Sequence, residues 1–437
     1  MKSLRLTVVV NVIVFAIGGA GRAADQPVRI TTEGAIDKRI PIAVPDFAAA
    51  PGQEALGKEL AQVVTYDLEF TGSVTILPRE SYPKGFTGFT SDATHVDFEA
   101  WKKTGIEQLV YAYVTTQSNR VSAECRLFDV LSGNQVVGKK FEAEQKWLRL
   151  VAHQFSDEIV RYLTGVPGIA TSQICFSAGP SGKKEVYMAD YDGANLTQVT
   201  KHNSISIMPC LSPDGGRIAY LSYKDRYPFL YILNLASGAS QPLSKKVGLN
   251  CAPTWAPDGN TLAIVLSKDA NVEVYRVNAD GSGAQRLTND RAIDTSPSFS
   301  PSGNEIAFAS ERSGATQIFV MSAEGGNVRR VSYQGGKATH PVWSPDGKLI
   351  AYVVERSGSG IQIYVMDASG ANPRQLTASG GTNESPSWSA DSRHLVFAST
   401  RTGQSQLWTV NVETGEQRAI PNLNLRCEGP SWGPRRE

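Results

Sequence analysis

Pro341-Val-Trp-Ser-Pro-Asp-Gly347 is one of six versions of a single pattern. The others are Pro209-Cys-Leu-Ser-Pro-Asp-Gly215, Pro253-Thr-Trp-Ala-Pro-Asp-Gly259, Pro297-Ser-Phe-Ser-Pro-Ser-Gly303, Pro386-Ser-Trp-Ser-Ala-Asp-Ser392 and Pro430-Ser-Trp-Gly-Pro-Arg-Arg436. Their leading prolines lie 44, 44, 44, 45 and 44 residues apart. A period of about 40–45 residues built from turn residues and aromatics marks a propeller or array. A second aromatic recurs in step, as Tyr187, Tyr231, Tyr275, Phe319, Tyr364 and Trp408. The one extra residue therefore falls between Pro341 and Tyr364, most simply in Ser357-Gly-Ser-Gly360. Each repeat reads as four short strands, which is one blade.

The motif residues have structural work to do. Proline sets φ for the turn, Asp bonds backbone donors, and Gly accepts positive φ. The aromatics, with Leu211 standing in their place in the first copy, are sized to pack between blades. The first repeat has no motif before it and the last motif has no repeat after it. The C-terminal strand should therefore close the first blade, giving a ring of six over 169–437.

The rest of the chain is organised differently. Lys2 and Arg5, an apolar run from Leu6 to Ile17 and the small residues before Ala23 read as a signal peptide over 1–23, cleaved after Ala23. The run falls short of the roughly 20 apolar residues a membrane span needs. Residues 24–165 read as an α/β domain. Ile40 to Phe47 is a buried strand, Gln53 to Phe70 a helix, Val74 to Leu77 a strand and Val96 to Thr104 a helix. Gln108 to Thr116, Arg120 to Val130 and Gln135 to Glu144 are strands, and Lys146 to Thr164 is the closing helix. Gly165-Val-Pro-Gly168 is a short linker, so the two domains should touch. Residues 25–39 fit either an edge strand or a free arm.

Composition narrows the function. A formal net charge of +1 argues against a nucleic-acid binder. Cys125, Cys175, Cys210, Cys251 and Cys427 form no CxxC pair and read as buried thiols. His153 lies beside the apolar stripe of the last helix and reads as packed or half-exposed rather than ligating. Gly429-Pro-Ser431-Trp-Gly433 matches a nucleophile elbow only in letters, since the four residues after Gly433 in this sequence hold neither a helix nor a histidine, and Ser431 occupies the same repeat place as Ser298 and Ser387. Asp190-Tyr-Asp-Gly193 could hold calcium but also suits a hairpin turn. The expectation is no enzyme, no cofactor and no metal.

In a propeller the loops leading into each innermost strand converge on the channel mouth. The residues just before each motif proline then form a ring: Ile207-Met208, Cys251-Ala252, Thr295-Ser296, Thr339-His340, Glu384-Ser385 and Glu428-Gly429. That mixture suits protein recognition or simple capping of the channel.

The export signal, the α/β domain and six repeats together resemble the TolB family of the periplasmic Tol–Pal system. The carriers are Val28-Arg-Ile30, Ile40 to Phe47, Lys146-Trp-Leu-Arg149 leading into His153, Ser156-Asp-Glu158 and Leu163-Thr-Gly165, with Ala189-Asp-Tyr-Asp-Gly193 in the repeats. The resemblance implies an anticodon-binding-like α/β domain followed by a six-bladed β-propeller, acting as a monomer in the periplasm. It implies binding of the lipoprotein Pal on the channel face, where Asn250, Ala252 and Thr295 match by position. Thr339, His340, Glu384 and Glu428 extend that ring. Leu249 departs from the family pattern, where some relatives carry a polar aromatic residue. The mature N-terminal segment, with Val28, Arg29, Ile30, Glu33 and Ile36, is implied to bind TolA, and certain colicins are implied as further ligands. The membrane is met only through partners. Two other readings are a glycan- or metabolite-binding periplasmic propeller and a propeller attached to a peptidase.

Overall fold

The computed structural model describes residues 39–86, 88–90, 96–358, 360–378 and 380–436. The expected signal peptide and the segment carrying Val28, Arg29, Ile30, Glu33 and Ile36 lie outside them. Among the described residues no helix is long and apolar enough to cross a membrane.

The α/β domain runs β1 (Ile40–Ala43), β2 (Ala48–Ala49), α1 (Glu54–Phe70), β3 (Val74–Ile76), α2 (Phe98–Lys102), β4 (Gln108–Gln117), β5 (Arg120–Asp129), β6 (Gln135–Glu144) and α3 (Leu148–Thr164). The sheet order is β3-β1-β4-β5-β6, with β2 also on β4. The strand expected over 40–47 is confined to Ile40–Ala43, and β2 lies beyond its expected end. Pro45 has no N–H to give a ladder, so pairing stops and resumes beyond it. The helix expected over 96–104 shortens to α2, capped by the Asp97 carboxylate, which accepts from the Ala100 N–H at 3.0 Å. Leu60, Val64 and Leu68 of α1 and Val151, Phe155 and Ile159 of α3 bury one side of the sheet. α3 ends where Gly165 takes a left-handed φ of 77°.

The propeller has six four-stranded antiparallel sheets. Five take their strands consecutively. In the sixth, the C-terminal strand Cys427–Trp432 pairs with β7 (Gln173–Ala178), which then pairs onward in order, so the two ends of the ring share one sheet. The inserted residue lies in the hairpin between Leu349–Arg356 and Gly360–Asp367, where both strands lengthen to eight residues.

The motif side chains join blade to blade. Trp255 Nε1 donates to the Cys210 carbonyl at 3.0 Å, and Trp388 Nε1 to the Val342 carbonyl at 3.0 Å. Ser431 Oγ, from the elbow-like sequence, accepts the Leu211 N–H of the next blade at 3.1 Å, a scaffold role. Gly370, at φ 92°, sits where a Cβ would stand 2.4 Å from the Val331 carbonyl oxygen of the preceding blade. Only glycine meets both demands there.

Candidate partner-binding face and domain interface

The α/β domain is fixed against the Ser-Pro-Asp-Gly side of the ring. Phe70, the last residue of α1, packs on Tyr191 with ring centres 5.0 Å apart and on His394 at 4.6 Å. Asp67, one turn earlier and buried, accepts the Tyr191 hydroxyl at 2.6 Å and the His153 Nδ1–H at 2.9 Å. Arg149 pairs with Asp192, and Arg436 Nη2 reaches Asp190 at 2.8 Å. The linker is clamped as well: Asp157 accepts from the Ala170 N–H at 2.8 Å and the Thr171 hydroxyl at 3.0 Å.

The electrostatics follow from burial. Burial alone would push the His153 imidazole down, but Asp67, by charge and hydrogen bond, with Asp192 and Asp190, raises it above its ordinary value. Burial pushes the Asp157 carboxyl up to about 6 against its hydrogen bonds. Atoms of His153, Asp190 and Asp192 lie within 4.8 Å of one another, a spacing a cation could use. Both carboxylates, however, already hold guanidinium groups, which supply the positive charge a cation would bring. His153 is buried, one of the two states its place beside the apolar stripe allows, and it also forms part of the joint between domains. The sequence offered one signal of this network, the Asp190-Tyr-Asp-Gly193 turn, and no means of pairing it with Asp67.

The opposite face carries the ring. Met208, Ala252, Ser296, His340, Ser385 and Gly429, each just before a motif proline, all have φ between 48° and 56°. Each breaks its strand register with a bulge, for example between Thr295 and Ser298 and between Thr339 and Val342. Five of the six are not glycine, so a left-handed conformation costing roughly 1 kcal/mol or more is imposed five times. Sequence reasoning placed the ring but missed this geometry, which Gly429 alone hinted at. Bulges of this kind re-aim side chains.

The ring residues separate into two groups. Met208 and His340 are exposed, while Ala252, Thr295, Thr339, Glu384 and Glu428 are half-buried. His340 is open to solvent, yet the surrounding protein mass desolvates its imidazole and lowers its pKa. Burial and the nearby Glu428 charge raise Glu384, opposed by Lys184, which is paired with Glu428. Asn250 corrects the expectation of direct contact. It is fully buried, its Oδ1 accepting from Ser244 Oγ at 2.7 Å and its Nδ2 donating to the Lys246 and Gly248 carbonyls at 2.8 and 3.0 Å. A buried amide satisfied in this way holds the loop 245–249 in shape and presents nothing to a partner.

An α/β domain clamped to one side of six four-stranded blades, with a left-handed ring on the other, defines a two-domain β-propeller protein. A family model described as the TolB beta propeller domain matches residues 160–436, and one described as the TolB amino-terminal domain matches 28–136. The chain belongs to the TolB family. It is 36% identical over 217 residues to the Tol-Pal system protein TolB of Desulfosudis oleivorans, covering 48% of this chain and 49% of that one. It is 32% identical over 250 residues to that of Ruegeria sp. strain TM1040, covering 56% of each. The chain thus spans about half the length of the curated relatives it matches. The crystal structure of TolB from Acinetobacter baumannii superposes with a TM-score of 0.80 at 26% identity, over 91% of this chain and 97% of that one. A chain of a nidogen/laminin complex, at 10% identity and TM-score 0.50, shares the propeller fold alone.

Proposed function

We propose that the protein is a non-enzymatic periplasmic adaptor of the Tol–Pal system. Residues 1–23 are removed on export, 24–165 form the α/β domain and 169–437 the propeller. The channel face binds Pal and the mature N-terminal segment binds TolA, in support of outer-membrane invagination during division and of envelope integrity. The observation that carries this reading is the six-fold left-handed ring on the face turned away from the α/β domain. Strain repeated at equivalent positions, with Met208 and His340 left exposed, is what a recognition surface would keep. Membership of the TolB family supports it further.

Ala252, Thr295, Thr339, His340, Glu384 and Glu428 are the contact residues in this reading, and Asn250 positions their loop. The test is capture: tagged protein is mixed with the soluble domain of a Pal lipoprotein, and a Thr295→Arg variant serves as the control. Binding by the parent and loss in the variant is the expected result. No capture under gentle crosslinking overturns the assignment. Deleting 25–36 should abolish TolA binding while leaving the thermal transition intact, and persistence of TolA binding removes the arm from the account.

A further inference from the structure

One sector of the channel face differs from the remainder. It is built from the loop 201–205, the hairpin 223–228, the loop 245–249 and the hairpin 267–270. These segments are continuous: the Tyr223 N–H donates to the Ile205 carbonyl at 2.9 Å, Lys245 pairs with Asp225, and the Leu249 N–H donates to Ser267 Oγ at 2.8 Å. They carry six basic side chains, Lys201, Lys224, Arg226, Lys245, Lys246 and Lys268, against two acidic ones, Asp225 and Asp269, on a chain of net charge +1. Among the described residues Lys201, Arg226 and Lys246 have no carboxylate partner. Between the cations stand exposed apolar groups: Val247 at 89%, Tyr227 at 65%, Met208 at 43%, Tyr223 at 38% and Leu249 at 37% exposure.

We infer that this sector is a docking surface for an acidic protein segment bearing aromatic or aliphatic side chains, which is gripped off-centre from the channel. The inference rests on the adaptor reading above and gives that partner its chemistry. Charge complementarity is the first argument. Concentrated unpaired cations steer and orient a carboxylate-rich partner. The second is composition, because tyrosine and arginine are the residues protein interfaces favour. The third is rigidity. Asn250 fixes the loop through its buried amide, while Lys224 lies 3.9 Å above the Tyr231 ring, whose hydroxyl donates to Asp225 at 2.8 Å. Groups already ordered lose little freedom on binding. The exposed apolar groups standing between the cations, and the continuity with Met208 at the channel, favour a protein partner over an anionic bilayer.

The experiment compares the full chain with R226E/K246E and, as a control, with Thr295→Arg in the ring. Three probes are titrated at low and high salt: the soluble domain of a Pal lipoprotein, a short synthetic peptide of Glu and Phe, and phosphatidylglycerol vesicles. Arg226 and Lys246 are exposed, so the charge reversal should leave the thermal transition unchanged. The expected result is a fall of roughly ten-fold in the on-rate for the Pal domain and loss of its salt dependence in R226E/K246E. If Thr295→Arg abolishes Pal binding and R226E/K246E leaves both quantities unchanged, the adaptor reading stands and this inference falls. If the parent ignores Pal but binds the peptide through Arg226 and Lys246, the docking surface stands and the Pal assignment falls. Binding to vesicles alone, or to none of the probes, overturns the inference.

Discussion

Tyr191, in the first blade, donates its hydroxyl hydrogen across the domain boundary to Asp67 on α1, 2.6 Å away, and both side chains are buried. The bond joins two charged systems, since Asp67 also holds His153. A buried carboxylate deprived of one of its donors keeps most of its desolvation cost. Tyr191→Phe should therefore lower unfolding free energy by about 1–3 kcal/mol by chemical denaturation. An unchanged midpoint would show that the bond adds nothing to the joint.

His153 gives the joint a pH dependence with a defined sign. Its folded pKa is raised above the unfolded value of about 6.5. Its contribution is therefore fully present below about pH 6.5 and is lost as pH rises through the folded value. Asp157, raised to about 6, acts in the same direction in a lower window, its contribution declining between about 3.9 and about 6. Asp391, held down by His394 and Ser389 despite burial, acts oppositely and loses its contribution as pH falls. Denaturation curves across these windows should show stability falling on the alkaline side in the parent and a flatter alkaline limb in His153→Gln. A parent curve that rises with pH above 6.5 contradicts the assignment.

The blade-joining tryptophans are not equivalent. Trp388 Nε1 donates to the Val342 carbonyl, whereas Trp343 Nε1 is buried with no partner among the described residues. Replacing each by Phe removes similar apolar contact but only one hydrogen bond. Trp388→Phe should cost about 1 kcal/mol more than Trp343→Phe. Equal shifts in Tm would show that the indole bond is energetically silent.

Closure of the ring depends on the C-terminal strand. A chain ending at Leu423 loses Cys427–Trp432 from the edge of β7, the Trp432 Nε1 bond to Ser172 Oγ at 2.8 Å and the Arg436–Asp190 pair. An open blade edge with its core uncovered should unfold many degrees lower and aggregate. Retention of the parent melting temperature would mean the first blade stands on three strands.

Much of this architecture was legible because it repeats. A proline, an aromatic and a turn recurring every 44 or 45 residues leave few alternatives to a propeller, and the unmatched ends predict the shared sheet. Local rules worked less well where one residue decides. Ahead of Pro45 the strand stops at Ala43, although its apolar neighbours suggested it would run on to Phe47. Asn250 illustrates a different limit: its side chain and its position in the ring were visible, but whether it faces a partner or its own loop depends on burial. The joint around Asp67, His153 and Tyr191 was beyond pattern reading, because its members are up to 124 residues apart and meet only in the folded chain.

The ring also constrains how this face can change. At Met208, Ala252, Ser296, His340 and Ser385 the backbone is held in a conformation that β-branched side chains resist, so substitution there is filtered by the main chain before any partner is met. The residues one step earlier, Ile207, Cys251, Thr295, Thr339 and Glu384, carry no such filter. Specificity on this surface should then drift chiefly at alternate positions, and a library built to retarget the propeller would keep the first set to Gly, Asn or small residues and randomise the second.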